Sequence, residues 1–514
     1  MERKVLIESG TVQPAHVGAC RRKRPDKKQF PINWKRRLSI CLMKIFSRFS
    51  LFLRLSFFSL LITTLVCPAS EKPNVLFIAI DDLNCRLGCY GFDHIVSPNL
   101  DRLAKRGVRF DRAYCQYPSC GPSRASVLTG LRPDTTGIIS NKINFREHLP
   151  DGLTLPQHFR NSGYHVTRVG KIFHQDNPTH IGTSGPDDPE SWDAVVNPRG
   201  RDKDEEDKLT VYTPQLPLPD QMCFLKAEGA DGEQTDGKVT DETIRVLKKK
   251  GDEPVFIGVG YYRPHIPYIA PKKYFDLYSY EKTPLPTWPA GYRATVPAAA
   301  LASTPEWPNF GTTEREAREC ILAYDACVSF VDAQVGRLLD FVEGDADLAA
   351  NTIIVVWGDH GYHLGEHGLW RKNSLFEESA RAPLIIYDPR LKNSGSDCSR
   401  VVEFVDIFPT VTELAGIEMP ENLDGVSLVP LVKNPDEEWN RPAFSQVQFR
   451  EAGGRSIRTD RWRYVEWDGG ERGIELYDQK ADPTEMNNLS NDPAFATVRK
   501  TLRGKLKDQW KESK

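Results

Sequence analysis

Several marks of other protein classes are missing from this chain. Its 11 cysteines include no Cys-x-x-Cys pair, so no zinc site is indicated, and no internal repeat recurs along the 514 residues. The formal net charge is only -2, so the sequence gives no sign of a basic surface that would bind nucleic acid. What is present is a globular composition, 39% hydrophobic and 27% charged, in a chain long enough for one large core and a smaller domain.

The first seventy residues differ in composition from the rest of the chain. Basic residues between 21 and 37 precede an apolar run from 55 to 66 that is short for a membrane span, and residues 67–69 read as a small-residue cleavage site. We therefore predict a basic leader and signal peptide over residues 1–70, export to the periplasm or the extracellular space, and no stable membrane span after cleavage. Met43 is a candidate for the true start; a genuine basic leader or a retained membrane anchor are the alternatives.

Continuous apolar runs mark the core of the remaining sequence. The runs at 74–80, 255–259 and 352–357 have strand length and lack polar alternation, which is typical of strands buried on both faces of a sheet. With helical patterns between them, they predict an α/β fold: a mixed, mostly parallel central sheet sandwiched by helices, over residues 71–437. Short strand-like runs after that point predict a small antiparallel C-terminal subdomain over 438–514.

One long helix can be placed by its ends. Thr313 and Glu316 form a capping-box pattern, and Gly344 is a suitable stop. Apolar residues recur at helical spacing between 321 and 338, Tyr324 among them, so we expect a core stripe there and not a ligand-binding face.

The most informative segment is 120–130, Cys-Gly-Pro-Ser-Arg-Ala-Ser-Val-Leu-Thr-Gly. Pro122 restricts the backbone at a turn, and residues 125–128 suit a helix whose free N-terminal N–H groups favour an anion. A nucleophile at Cys120 would therefore face an anionic ester. By position alone, Cys120 could equally be an activated thiolate or a buried structural thiol.

Acidic residues follow two of the predicted strands. The run at 74–80 leads into Asp81-Asp82, and the run at 352–357 leads through a glycine into Asp359-His360. The carboxyl ends of strands in such sheets meet at one crevice, so the two clusters are expected to converge. Adjacent buried carboxylates repel unless a cation neutralises them, and hard oxygen ligands select calcium or magnesium. Taken singly, each pair could simply cap a loop.

Segment 120–130 resembles the Cys-x-Pro-Ser-Arg-x-x-x-Leu-Thr-Gly signature of the type I, formylglycine-dependent sulfatases, with no position violated. Gly170-Lys-Ile-Phe-His174, Arg263-Pro-His-Ile-Pro267 and the stretch 359–370 are similar to the iduronate-2-sulfatase-like branch of this family, which lies in the alkaline phosphatase superfamily. The resemblance covers nearly all of residues 72–485.

The resemblance implies a sulfuric ester hydrolase that removes sulfate from a sulfated carbohydrate, with a 2-sulfated uronic acid of a polysaccharide as the expected substrate. It also implies that a separate maturation enzyme converts Cys120 to formylglycine, and that one calcium ion is bound per chain. The implied metal ligands are Asp81, Asp82, Cys120, Asp359 and His360. The implied catalytic residues are Cys120 as nucleophile, Arg124 to orient it, Lys171 and Lys372 to neutralise the sulfate, His265 as acid and His174 as base.

Other interpretations stay open at this point. A phosphoester or phosphonate hydrolase of the same superfamily, a non-catalytic protein that binds sulfated glycans, and a thiol enzyme using unmodified Cys120 are the alternatives; the complete signature and the single-metal ligand set favour the sulfatase. The residues His363, His367 and Trp370 either wall a sugar subsite or pack their loop, and Arg455, Arg458 and Arg461 are candidates to reach a uronate carboxylate.

Substrate selectivity and disulfide pairing are less well defined. The long variable region near 180–240, read as a surface excursion near the active-site rim, and the loop at 284–307 are where selectivity is expected. Cys85 and Cys89 are close enough in sequence to be candidates for a disulfide bond if the chain is exported. The exact sugar, attack at chain ends or within the chain, and the oligomeric state do not follow from the sequence.

Overall fold

The computed structural model describes residues 72–512 apart from 175 and 392–394. The proposed leader, its cleavage site and Met43 lie outside the described residues. The described residues belong to one compact unit, and a domain boundary at 437/438 stays a prediction. Within the part of the chain that is described, no helix is both long and apolar enough to cross a bilayer.

Seventeen strands are found among the described residues. In chain order they are β1 Asn74–Ile80, β2 Val108–Tyr114, β3 His165–Gly170, β4 Ala194–Val196, β5 Thr210–Val211, β6 Cys223–Ala227, β7 Val255–Tyr261, β8 Tyr268–Pro271, β9 Thr352–Gly358, β10 His363–Leu364, β11 Trp370–Arg371, β12 Leu384–Tyr387, β13 Ser396–Glu403, β14 Ala443–Phe449, β15 Ala452–Arg458, β16 Trp462–Trp467 and β17 Ile474–Asp478.

Eight of these strands form the central sheet, in the spatial order β13-β2-β12-β9-β1-β7-β3-β4. β1 pairs in parallel with β7 and β9, and β12 alone runs antiparallel to its neighbours. Every residue of β1, β7 and β9 is buried, which explains why their sequences lack polar alternation. The predicted mixed, mostly parallel sheet is confirmed.

Helices pack on both faces of this sheet, and the last helix of the chain packs instead on the small C-terminal sheet. Their bounds are Pro98–Ala104, Cys120–Thr129, Pro133–Thr136, Phe145–His148, Leu155–Asn161, Arg201–Asp204, Thr235–Lys248, Lys272–Phe275, Glu314–Glu343, Ala346–Asn351, Glu377–Ala380, Ile407–Ala415, Val429–Lys433 and Ala496–Glu512. Successive β1 residues face opposite layers: Leu76 packs in the core that contains the long helix, and Phe77 packs in the core that contains Val127 of the helix after Cys120.

The long helix has the predicted ends. Thr313 and Glu316 form the capping box, and Gly344 is the C-cap. Its apolar stripe lies in the core of one face of the sheet, as expected from its helical spacing.

The small antiparallel sheet has the order β14-β15-β16-β17 and confirms the prediction for the C-terminal part of the fold. Its strands pack on one side against Leu502 and Leu506 of the last helix and on the other against Leu375 and Phe376 of a loop that follows β11. The fold therefore supports the loop after β11 from the C-terminal sheet.

Candidate active site

The helix Cys120–Thr129 begins at the proposed nucleophile. Ser119 is its N-cap in an extended conformation, and Cys120 is completely buried. Cys120 Sγ lies 3.3 Å from His360 Nε2, 3.3 Å from Lys372 Nζ and 3.7 Å from Asp82 Oδ1. The thiol thus lies among groups brought from three other parts of the chain.

The two acidic clusters meet, because β1 and β9 are adjacent parallel strands. The backbone N–H of Asp82 donates to Asp359 Oδ1 at 2.9 Å. Asp82 has a φ of 60°, a left-handed conformation that is uncommon for a residue with a side chain, and Tyr324 donates its hydroxyl to the Asp82 carbonyl at 2.7 Å. A side chain from the long helix therefore supports the strained turn that holds one of the acids.

The donor set fits a divalent cation. His360 Nδ1 lies 2.8 Å from the Gly361 carbonyl, which favours the tautomer protonated at Nδ1 and leaves the Nε2 lone pair facing the cluster. One ligand atom each from Asp82, Cys120, Asp359 and His360 lies within 4.8 Å of the others. Two of these four ligand atoms are carboxylate oxygens, the ligand type that hard cations such as calcium prefer. Asp81 belongs to a neighbouring group with Cys120 and His265.

Basic side chains surround the same carboxylates. Lys171 Nζ lies 2.5 Å from Asp81 Oδ2, and Lys372 Nζ lies 2.5 Å from Asp82 Oδ1. Arg124, one helical turn after Cys120, donates to Asp81 Oδ1 at 3.1 Å and to the carbonyl of Lys171 at 2.9 Å. These cations compensate the buried acids and are well placed to hold an anionic group.

The electrostatics favour anionic forms of the central groups. Burial raises the pKa of the Cys120 thiol, but Lys171 and Lys372 outweigh it, so this pKa lies below its usual value. Burial also opposes charging of His360, yet Asp359 and Cys120 raise its pKa to about 9, so a divalent cation would displace a proton from Nε2 when it binds there. The site is built to stabilise negative charge beside Cys120.

The two remaining histidines differ in environment. His265 Nδ1 lies 2.6 Å from the Ile266 carbonyl, and its Nε2 lies 3.8 Å from Asp82 Oδ2. His174 Nδ1 is buried and has no hydrogen-bond partner among the described residues, while its Nε2 lies 3.5 Å from Asp176 Oδ1. Burial and Lys171 lower the pKa of His174 to about 3, so its imidazole is neutral. His174 also lines a cavity of about 250 Å³ that borders the Cys120 helix.

Three residues at this site were not singled out from the sequence. Tyr324 was assigned to a core stripe, where it does lie, but its hydroxyl also supports Asp82. Ser123 donates its hydroxyl to the Asp359 carbonyl, and Asn177 Nδ2 lies 3.4 Å from Asp81 Oδ2. Only the position of Ser123 inside the 120–130 motif offered a signal.

Several other candidate side chains are buried or already paired with a carboxylate. His363, His367 and Trp370 are completely buried, which supports the alternative that they pack their loop. Arg458 pairs with buried Glu377 at 3.3 Å. Arg455 and Arg461 pair with Asp134 and Asp478, so these three arginines already have carboxylate partners.

The eight cysteines among the described residues are all free, Cys85 and Cys89 included, so the candidate disulfide between those two is absent. Cys120 and Cys115 are buried.

Comparisons with known proteins agree with this geometry. The family model described as Sulfatase matches residues 73–417, and a second, described as N-sulphoglucosamine sulphohydrolase, C-terminal, matches residues 365–512. A sulfatase of Formosa agariphila is 33% identical over 458 residues, covering 85% of this chain and 86% of the relative. The iduronate 2-sulfatase of Homo sapiens is 32% identical over 517 residues, covering 82% and 92%.

Solved structures show the same fold. BT4656 in complex with its substrate D-glucosamine-2-N,6-O-disulfate has a TM-score of 0.69 at 25% identity, covering 86% of this chain and 98% of that one. A phosphonate monoester hydrolase of Agrobacterium radiobacter has a TM-score of 0.71 at 23% identity, covering 86% and 96%, a likeness that concerns the fold alone.

Proposed function

This chain belongs to the sulfatase family and is a sulfuric ester hydrolase; within that family, we propose that it removes sulfate from a 2-sulfated uronic acid of a polysaccharide, using formylglycine made from Cys120 and one calcium ion. The observation that carries the proposal is the meeting of Cys120 Sγ with Lys372, His360 and Asp82, beside Asp81 and Asp359. The choice of a 2-sulfated uronate is supported by the similarity to two iduronate 2-sulfatases. They are 31% and 32% identical to this chain and align with 85% and 82% of it.

Asp81, Asp82, Asp359 and His360 would hold the calcium ion. Bound there, calcium would polarise sulfate oxygens and draw negative charge towards the site. Formylglycine at position 120, in its hydrated form, would supply a hydroxyl nucleophile for in-line attack on sulfur. Conversion requires a separate formylglycine-generating enzyme, which is therefore a proposed partner.

The side chains around Cys120 account for the charge that develops in the reaction. Lys372, 3.3 Å from Cys120 Sγ, and Lys171, which contacts Asp81, are positioned to neutralise a sulfate group held between them. Arg124 is held by Asp81, Asp359 and backbone carbonyls one helical turn after Cys120, and from there it would help to orient residue 120.

Two histidines divide the proton transfers. The contact of His265 Nδ1 with the Ile266 carbonyl leaves Nε2 as the nitrogen that delivers a proton to the leaving sugar oxygen. His174 is neutral because of its burial, so it starts in the form that accepts a proton and can act as the base in the release of sulfate. The proposal also includes export, supported by the basic and apolar pattern before residue 70.

The first test measures inorganic sulfate released by the full chain, co-expressed with a formylglycine-generating enzyme and supplied with calcium. The substrates are oligosaccharides with a terminal 2-sulfated uronate, the same sugars sulfated elsewhere, and phosphate and phosphonate monoesters. Release confined to the 2-sulfated uronate supports the proposal; release from another sugar moves the specificity, and hydrolysis of only the phosphorus esters overturns the sulfatase mechanism.

A mass spectrum of the same protein tests the nucleophile. The tryptic peptide 113–124 holds both Cys115 and Cys120, so Cys115 is an internal control. We expect an aldehyde at position 120 and an unchanged thiol at position 115. Cys120→Ala should abolish turnover and leave folding intact, whereas Cys115→Ala should retain turnover. An unmodified Cys120 in an active protein would instead support a thiol mechanism.

A further inference from the structure

The stretch near 180–240, expected from the sequence to be a surface excursion, is buried at several points, and one of them is a short helix that carries Asp202. The short helix Arg201–Asp204 places Asp202 among buried groups, whereas Asp204 on the same helix is exposed. Gly200, directly before the helix, approaches the next element so closely that a Cβ there would lie 2.1 Å from the backbone nitrogen of Thr235. A side chain at position 200 would push this helix, and Asp202 with it, away from the core.

Asp202 is bonded at both carboxylate oxygens. Its Oδ1 accepts from the N–H of Thr235 at 2.6 Å and from the Thr235 hydroxyl at 2.7 Å. Its Oδ2 accepts from Arg263 Nη2 at 3.1 Å. The carboxylate thus ties the excursion to the start of the next helix and to the loop after β7.

Arg263 links Asp202 to His265 through a second hydrogen bond. It is 1% exposed, and its Nη1 donates to the His265 carbonyl at 3.0 Å. A second carboxylate, Asp236, accepts from the N–H groups of Tyr262 at 2.8 Å and Arg263 at 2.9 Å. The His265 N–H donates to the Tyr262 carbonyl at 3.1 Å, so the backbone on both sides of the imidazole is held.

We propose that Asp202 is a positioning residue, which acts through Arg263 to hold His265 where its Nε2 can deliver a proton to the leaving oxygen. The proposal rests on the function assigned above, through the role of His265. The ring is already tethered to the backbone at Nδ1, so displacement of the Arg263–His265 backbone displaces Nε2 with it. Proton transfer requires hydrogen-bond distance, and a misplacement of about 1 Å is enough to lower turnover strongly.

The same excursion makes a comparable contact with a second catalytic loop. Asp220 pairs with Arg371, the residue directly before Lys372. Because the Asp220 side chain is 48% exposed, solvent weakens that pair, and the buried Asp202–Arg263 pair is the stronger connection. The stretch near 180–240 therefore contacts the loops that carry His265 and Lys372, in addition to any role it has in substrate selectivity.

Asp202→Asn tests the proposal, because it keeps size and an acceptor for Thr235 but removes the charge that pairs with Arg263. Asp204→Asn is the matched control: Asp204 lies on the same helix and pairs with exposed Arg199. With a sulfated sugar as substrate, we expect Asp202→Asn to lower kcat by about 10²-fold with little change in KM, and Asp204→Asn to match the wild type.

A double-mutant cycle separates positioning from general damage. In a His265→Ala background, Asp202→Asn should cause no further loss, because the group that it positions is gone. An equal loss in both backgrounds, or no loss in either, overturns the proposal. If Asp202→Asn does not fold, Arg263→Lys takes its place as the test variant. A lysine keeps the positive charge but cannot reach both Asp202 and the His265 carbonyl, so kcat should fall as expected for Asp202→Asn.

A readout without turnover distinguishes this idea from the proposed function. In protein labelled with ¹⁵N-histidine, the signal absent from His265→Ala identifies the His265 ring. That signal should shift in Asp202→Asn and stay in place in Asp204→Asn. An unshifted signal in Asp202→Asn refutes the positioning role whatever the substrate, whereas a shift in a protein that releases no sulfate refutes only the proposed function.

Discussion

Arg124 Nε donates to Asp359 Oδ2 at 2.9 Å across 235 residues of sequence. Both side chains are completely buried, and Arg124 also reaches Asp81 at 3.1 Å. One guanidinium thus bridges the acids that follow two different strands, β1 and β9. Its planar, forked geometry permits this double contact, which a single ammonium group cannot reproduce.

Replacement of Arg124 by lysine should therefore lower sulfate release by about 10²-fold, since the acids and residue 120 would lose their shared anchor. Arg132→Lys, which alters another buried pair, with Glu403 at 2.5 Å, is the control for loss of a buried guanidinium. Steady-state rates of both variants, each normalised to its formylglycine content, provide the comparison. Equal rates for the two variants would contradict a special role for Arg124.

Asp359→Asn should remove the stabilisation that calcium provides. At a calcium concentration about 100 times the dissociation constant, binding adds about 2.7 kcal/mol to the free energy of unfolding, which raises the wild-type Tm relative to protein in a chelator. Asp332→Asn, at a buried acid that accepts from the N–H of Leu100 at 2.7 Å, should keep the calcium increment. Thermal melts with and without calcium measure this; a full increment in Asp359→Asn would argue against the proposed ligand set.

His265→Gln should slow sugar sulfates more than aryl sulfates. A sugar alkoxide needs a proton to leave, and general acid catalysis contributes about 10² to 10⁴-fold, whereas a nitrophenolate leaves without help. The ratio of kcat values on the two substrate types is the measurement, with Cys120→Ala as the background. If both substrates lose activity equally, His265 is not the acid.

His363 should make stability depend on pH. Burial lowers its pKa to about 3, so below the usual value of 6.5 the unfolded chain binds a proton that the folded chain rejects. The stabilisation by this group is therefore complete above pH 6.5 and falls towards pH 3 by about 1.4 kcal/mol per pH unit. Urea denaturation at pH 7 and pH 5 should show a smaller loss for His363→Gln than for the wild type, while His180→Gln, at a half-exposed position, should follow the wild type.

Glu377 is expected to be the most sensitive contact between the C-terminal sheet and the rest of the fold. It is buried and pairs with Arg458 at 3.3 Å and with Arg463, and together these arginines hold its pKa below the ordinary value despite burial. In Glu377→Gln, Arg463 keeps Glu485 as a partner but buried Arg458 loses its carboxylate, so the free energy of unfolding should fall by about 3 to 5 kcal/mol.

Glu242→Gln, which breaks an exposed pair with Arg245, is the matched control and should cost less than about 1 kcal/mol. Chemical denaturation of the two variants tests this difference. A cost for Glu377→Gln as small as that of Glu242→Gln would show that this buried ion pair does not hold the sheet to the rest of the fold.

The class of the fold follows from the amino-acid sequence, and so does the set of residues proposed to carry the chemistry. The buried strands β1, β7 and β9 follow from continuous apolar runs, and Asp81 and Asp359 are placed by the strands that they follow. Because parallel strands end at the same edge of a sheet, local patterns were enough to predict that these acids converge, whereas the place of Cys120 beside them was implied by the family resemblance.

The polar partners that meet in the fold could not be predicted from local patterns. Helical spacing placed Tyr324 in the core but could not show that its hydroxyl reaches Asp82, and nothing local linked Asp202 to Arg263. The same limit applies to His363, whose burial follows from packing of its loop. Hydrophobic periodicity reports which face of an element is buried, whereas a hydrogen bond depends on the distance between atoms that belong to residues far apart in the chain.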